Sequence, residues 1–175
     1  MYFISEFGVA IKTFISFLYA IGFFSEIILI IIVSVIIHSH FTDFIVYLVA
    51  VVINGFINRI LKRIIKGIRP KNPIKFLDSE KFNNKKAYGM PSGHSQSVFF
   101  SIVYLILTIY ENINLYLPWI LTCILIGILT LWERWIFHNH TVSQLLVGAI
   151  IGSLFAYLVV YLRDNILVKY VNINM

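Results

Sequence analysis

The stretch Tyr88-Gly89-Met90-Pro91-Ser92-Gly93-His94-Ser95-Gln96 is a polar turn set between long apolar runs. Pro91 is expected in the first turn of a helix, where its missing N–H is not needed. The helix is then expected to run on from Ser95 to Ile109. Ser92 offers a hydroxyl, and Gly93 lets a ligand come close to the backbone. The free N–H groups of a helix start attract anions. His94 adds a group that carries a proton near neutral pH. An anion site with a built-in acid is a setting for phosphate chemistry. The plainer alternative is an interfacial helix cap beside a chance histidine.

The rest of the chain must hold that turn in place. Of 175 residues, 59% are hydrophobic and 13% charged, and mean hydropathy is +0.88. A soluble domain of this length has no interior large enough for so much apolar surface. The composition is that of an integral membrane protein, organised as one domain over residues 1–175. The single cysteine, Cys123, excludes an intrachain disulfide and sits in an apolar run, where packing is its expected role.

Five spans are expected: Phe14–Ile37, Phe41–Leu61, Ser95–Ile109, Trp119–Phe137 and Val142–Leu162. Residues 1–13 read as an interfacial helix or the start of the first span, without a cleavable signal. Glu26 is the one charge inside span one. His38 and His40 suggest a metal or, more simply, a loop at the water interface, which is the reading preferred here. Asn54, Asn58 and Lys62 recur every fourth residue and share a helix face. They line a route into the site or hydrogen-bond between helices.

Residues 62–86 form a basic segment, most of whose lysines are assigned to solvent or lipid headgroups. Lys62 and Arg69, two turns apart, are expected on one face of a helix that ends at Arg69-Pro70. Residues Glu111–Pro118 are expected to be the far-side loop. Trp132 and Trp135 suit an interfacial belt. Gly148 and Gly152 permit a close helix contact. The tail from Arg163 onward is expected to fray.

Because spans alternate in direction, the end of span two, the start of three, the end of four and the start of five emerge on one face. Those ends carry Lys62 and Arg69, then Ser92, Gly93 and His94, then Arg134, then His140. Chance would scatter such residues over both faces. The loops on the opposite face hold no Lys or Arg between spans.

Lys62-x6-Arg69-Pro70, Pro91-Ser92-Gly93-His94 and Arg134-x5-His140 together resemble the type 2 phosphatidic acid phosphatase (PAP2) superfamily. They cover about half the chain in the family's order and spacing. The resemblance implies an all-α bundle of about five transmembrane helices with the active site at one membrane face. It also implies phosphoryl transfer through a phosphohistidine, with no metal and no cofactor. His140 would be the nucleophile. His94 would protonate the leaving oxygen and then activate water. Lys62, Arg69, Ser92, Gly93 and Arg134 would bind the phosphate oxygens. His138 has no place in the motif and reads as structural.

Two positions depart from the family pattern. Glu133 stands where Ser is usual before the arginine, and Gln144 stands where Asp usually follows the histidine. A neutral Gln orients the ring but supplies no counter-charge. The segment from His140 to Gly148, with Gly89 to Gln96, looks like the dolichyl diphosphatase branch, in which Gln is expected at that position.

The branch resemblance implies a polyisoprenyl diphosphate cut to the monophosphate. The alternatives are another lipid phosphate such as phosphatidate, or a lipid-phosphate binder without activity. The expected partners are the bilayer and the lipid phosphate, with no nucleic acid; oligomeric state stays open. The basic face argues for the cytosol by the positive-inside rule. The branch argues for the endoplasmic reticulum lumen, which is the expectation taken here.

Overall fold

Apolar residues surround the long helices rather than forming one stripe, the pattern of helices in lipid. Ile27, Ile31 and Val35 of the first helix, Val49, Val52 and Phe56 of the second, and Leu146, Ile150 and Leu154 of the last are more than half exposed. These rows of apolar groups face outward, where lipid tails would lie. The computed structural model describes residues 2–74 and 88–167. The described residues form α1 (Tyr2–Ile37), α2 (Phe41–Ile65), α3 (Gly93–Thr108), α4 (Ile113–Ile136) and α5 (Val142–Leu162). A 3-10 turn at Tyr110–Asn112 precedes α4, and a π-helical turn at Arg163–Leu167 follows α5. Lys12–Ile37, Phe41–Ile65, Tyr110–Ile136 and Val142–Ile166 are each long and apolar enough to cross a membrane. The protein is an all-α membrane bundle.

Helix α3 is the axle, packing against α1, α2, α4 and α5. Its tightest partner is α5, where Gly148 and Gly152 make the close contact expected of them. A Cβ on Gly148 would stand 2.6 Å from the Ser92 carbonyl oxygen, and one on Gly152 would collide with that of Gln96. Ser95 closes the seam by donating to the Leu145 carbonyl at 2.6 Å. Farther along, Tyr47, Phe100 and Tyr104 are fully buried together. The Tyr47 hydroxyl donates to Ser101 at 2.9 Å, so the one polar atom of that ring is satisfied.

At the end of the bundle away from the turn of interest, Arg163 ties three helices. It lies 3.1 Å from Asp43 of α2 and donates to Thr108 of α3 at 3.0 Å. That clamp makes these ends level. The 16 residues of α3 reach about 24 Å at 1.5 Å per residue, and the 25 of α2 about 37 Å. The start of α3 therefore stops roughly 13 Å short of the end of α2.

Several expectations are corrected. Helix α2 stops at Ile65, because Lys66 turns left-handed (φ 52°) and donates to the Lys62 carbonyl at 3.1 Å. Arg69 thus lies beyond the helix, and Lys62 and Arg69 do not share a helical face. The chain leaves early because tertiary bonds capture it: Gly89 N–H donates to the Gly67 carbonyl at 2.7 Å. Pro91 follows a cis bond and precedes the helix, whose N-cap is Ser92.

The reversal before α4 needs only the 3-10 turn. Pro118 sits inside α4, near enough to its start that little is lost beyond the bond to Asn114. Arg163 does not fray but is buried at its ion pairs. Asn54 and Asn58 are buried between helices, so the route-lining alternative is set aside. Lys75, Lys81, Lys85 and Lys86 lie outside the described residues.

Candidate active site

His140 sits in the turn between α4 and α5. His138 makes that turn with a left-handed backbone (φ 53°), and the N–H groups of Asn139 and His140 both donate to the Arg134 carbonyl, at 3.1 and 3.2 Å. Thr141 caps α5, and Gln144 completes the capping box from inside the first turn. The same Gln144 side chain reaches three partners. Its Oε1 accepts from Thr141 N–H at 3.3 Å and faces His140 Nδ1 at 3.1 Å. Its Nε2 donates to the Ile68 carbonyl at 2.7 Å.

The last bond decides the first two. With the amide nitrogen committed to Ile68, only an oxygen faces His140, so the ring proton belongs on Nδ1. The lone pair of Nε2 is then free. Burial, and next the charge of Arg69, push the His140 ring down to about 3, with Lys62 and Arg134 adding to the effect and the Gln144 bond opposing it. His140 is a neutral imidazole surrounded by cations.

The bond to Ile68 also places Arg69. Gly89 fits between the two: a Cβ there would stand 2.7 Å from Arg69 Cγ and 2.8 Å from Gln144 Oε1. On the other side of the site, Lys62 sends its Nζ to within 3.7 Å of where a Cβ on Gly93 would lie. Ser92 caps α3 by accepting from Ser95 N–H at 3.4 Å, which leaves its hydroxyl proton available to a ligand. Ser92 N–H donates to the Gln144 carbonyl at 3.0 Å, so the two helix starts are joined directly.

His94 stands in the first turn of α3. Its Nε2 lies 3.0 Å from Arg134 Nη2. Arg134 is oriented by its neighbour: Glu133, fully buried, holds the Arg134 Nε at 2.8 Å. That contact takes the Nε edge of the guanidinium and leaves Nη2 to His94. The guanidinium carbon also lies 5.1 Å from the centre of the Phe23 ring.

Beneath the site, Gln96 ties α3 to α2. It accepts from Asn58 at 2.8 Å and donates to the Asn54 side chain at 2.8 Å. These bonds hold Lys62, one turn above Asn58, in register with Gly93.

The structure thus brings together the residues assigned from the sequence to the phosphate site: Lys62, Arg69, Ser92, Gly93, His94, Arg134, His140 and Gln144. Three cations and an uncapped imidazole nitrogen around a helix start can bind a phosphoryl group and attack it. The residues missed by sequence reasoning come from α1 and from the chain after α2. Glu26 lies 3.6 Å from His94 Nδ1. Its signal was present, since an ionisable side chain inside a span marks function by default. The Ile68 carbonyl left no signal, because any residue carries one.

Known proteins resemble this chain in both sequence and fold. The family model of the PAP2 superfamily matches residues 43–167. The dolichyldiphosphatase of Saccharomyces cerevisiae is 35% identical over 127 residues, 63% of this chain and 49% of the relative. The chloroplastic lipid phosphate phosphatase epsilon 1 of Arabidopsis thaliana is 32% identical over 110 residues, 60% of this chain and 35% of that protein. The matched stretch is therefore half or less of each relative's length. Among solved structures, the transmembrane PAP2-type phosphatidylglycerolphosphate phosphatase of Bacillus subtilis superposes with a TM-score of 0.64 at 18% identity. That match covers 89% of this chain and 78% of the other, and it bears on the fold.

Proposed function

The chain belongs to the PAP2 superfamily, and from that premise we propose that it is an integral-membrane lipid phosphatase acting on a polyisoprenyl diphosphate. The observation that carries this reading is the bond from His140 Nδ1–H to Gln144 Oε1 at 3.1 Å, the other end of the Gln144 side chain being tied to Ile68. It supports a free, neutral Nε2 as the nucleophile.

In the first step Nε2 of His140 bonds to the terminal phosphorus as the bond to the bridging oxygen breaks. His94, charged once the phosphate oxygens lie beside it, gives its Nε2 proton to the leaving polyisoprenyl phosphate and is left as the neutral ring. Lys62, Arg69, Arg134, Ser92 and the Gly93 N–H hold the equatorial oxygens, on which the transition-state charge resides. In the second step water attacks the phosphorus, gives its proton to His94 and returns the electron pair to His140. Phosphate is released. Neither step requires a metal.

The start of α3, set back from the end of α2 and surrounded by helices with exposed apolar faces, supports a lipid substrate whose phosphate meets the helix start while its chain stays among the helices. The yeast relative supports the diphosphate, and the reading places the catalytic face toward the endoplasmic reticulum lumen. Labelling of His138→Cys, in a Cys123→Ser background, by a membrane-impermeant maleimide added to intact microsomes tests the side: no labelling until the vesicles are opened is expected.

The activity test is phosphate release by detergent-solubilised protein from dolichyl diphosphate and from phosphatidate, with and without EDTA. Release that survives EDTA, favours the diphosphate and vanishes in His140→Ala is expected. Preference for phosphatidate would keep the chemistry and overturn the substrate. No release from any lipid phosphate by folded protein would overturn the phosphatase.

A further inference from the structure

Helix α1 lies outside the family match at residues 43–167, yet it builds a wall of the site. Gly22 lets it approach α4 so closely that a Cβ there would stand 2.7 Å from Glu133 Cβ. Phe23 lies under Arg134, and its backbone hydrogen-bonds the His94 ring. Glu26, one turn farther on, is hydrogen-bonded to Ser97 of α3 and places Oε1 3.6 Å from His94 Nδ1. The cations acting on Glu26 are Arg134 and Lys62; those around His94 are Arg134 and Lys62, with His140 also in reach.

The two nitrogens of His94 are thereby told apart. A guanidinium only donates, so Arg134 at 3.0 Å meets Nε2 as an acceptor. The ring proton then lies on Nδ1, on the side of Phe23 and Glu26. A separation of 3.6 Å is a charge contact rather than a hydrogen bond, and charging the ring would shorten it. The carboxylates divide the work: Glu133 holds Arg134 by Nε, and Glu26 stands behind His94. A carboxylate in a membrane span is costly to keep without such a task.

We infer that Glu26 is the positioning residue of His94, as Gln144 is of His140. With the Phe23 backbone bonded to the ring, the Glu26 carboxylate 3.6 Å from Nδ1 favours the proton on that nitrogen, so that Nε2 exchanges protons with the leaving oxygen and with water. Its charge balances the imidazolium that His94 becomes between Lys62 and Arg134. Glu26 itself does not touch the phosphate. The inference rests on the phosphohistidine reading above.

The test is Glu26→Gln, which keeps shape and loses charge, beside Glu26→Asp, which keeps charge. With p-nitrophenyl phosphate the first step needs no proton, because nitrophenolate leaves unaided. Glu26→Gln is expected to release a first nitrophenolate within about threefold of the wild-type rate and then to turn over about 30-fold more slowly, with phosphate held on His140. On a long-chain alkyl phosphate the burst disappears. Glu26→Asp is expected to recover most of the turnover, and Glu26→Gln with His94→Ala to lose no more than His94→Ala alone. Wild-type turnover in Glu26→Gln, or an equal loss in both steps, would overturn the inference.

A second readout separates the two proposals. In ring-15N-histidine protein, the His94 Nδ1–H proton resonance is expected to move upfield in Glu26→Gln, whether or not hydrolysis is seen. An unmoved resonance overturns the role of Glu26. An inactive wild-type protein with a moved resonance overturns only the phosphatase reading.

Discussion

At one end of the bundle Arg163 is buried between Asp43 at 3.1 Å and Asp164 at 2.7 Å. At the other end Lys62, Arg69 and Arg134 stand with His94 and His140, and among the described residues the carboxylates in contact are Glu26 and Glu133. Both ends set cations against carboxylates, and the balance is opposite. An arginine whose donors are taken by two carboxylates and a hydroxyl is a clamp: it levels α2, α3 and α5. A cluster whose cations outnumber its carboxylates has charge to offer a dianion. The helix start adds N–H groups to that offer. Burial alone does not distinguish the ends, since Arg134 and Arg163 are both buried.

Breaking the comparison should cost most at His140. His140→Ala is expected to lower turnover by roughly 10^4-fold or more, measured as phosphate release, because no other group takes over the covalent step. Arg134→Ala is next, at roughly 10^2- to 10^3-fold in kcat, the usual worth of a fixed donor to transition-state charge. Gln144→Asp restores the family's usual residue, yet a loss of about 10-fold is expected, since a positioning group displaced slightly costs at least this much. A carboxylate cannot donate to the Ile68 carbonyl, so Arg69 and His140 would lose their common tether. A gain in turnover would show that counter-charge matters more than the tether.

Smaller effects sharpen the contrast. Arg163→Met should leave turnover within about twofold and lower Tm by roughly 5 °C, a loss of about 2 kcal/mol. A catalytic loss larger than the thermal one would mean that the clamp reaches the site. The smallest effect concerns pH. The His140 ring is held down to about 3 by burial and by Arg69, so the ring stays neutral as pH falls from 7.5 to 5, and its 15N signal should not move. The unfolded chain does take up that proton, from about pH 6.5 downward. The folded state therefore loses stability as pH drops from about 6.5 toward 3 and is unaffected above it. Arg69→Met should raise the pH at which the ring charges.

Much of the site was legible in the chain. Alternating spans put the ends of α2 and α4 and the starts of α3 and α5 on one face, and the motif residues sit at those ends. Legibility failed at boundaries. Arg69-Pro70 is a valid helix stop, but Lys66 stops α2 sooner because Gly89 and Gln144 capture the carbonyls of Gly67 and Ile68. Pro91 suits a helix start, but Ser92 takes the cap. Arg163 sits where a tail should fray, but Asp43, distant in sequence, holds it. Asn54 and Asn58 were legible as one face, and only Gln96 decided what that face meets.

The sequence by itself determined the lipid environment, the direction of each helix and the company of cations and histidines at one face. These follow from composition and from spacing along the chain, which need no partner. Tertiary structure decided which nitrogen of each histidine is free. That choice depends on what stands behind the ring: Gln144 tethered to Ile68 for His140, Phe23 and Glu26 of α1 for His94. A tautomer is set by contacts a few ångströms long between segments far apart in the chain, and no local pattern encodes them.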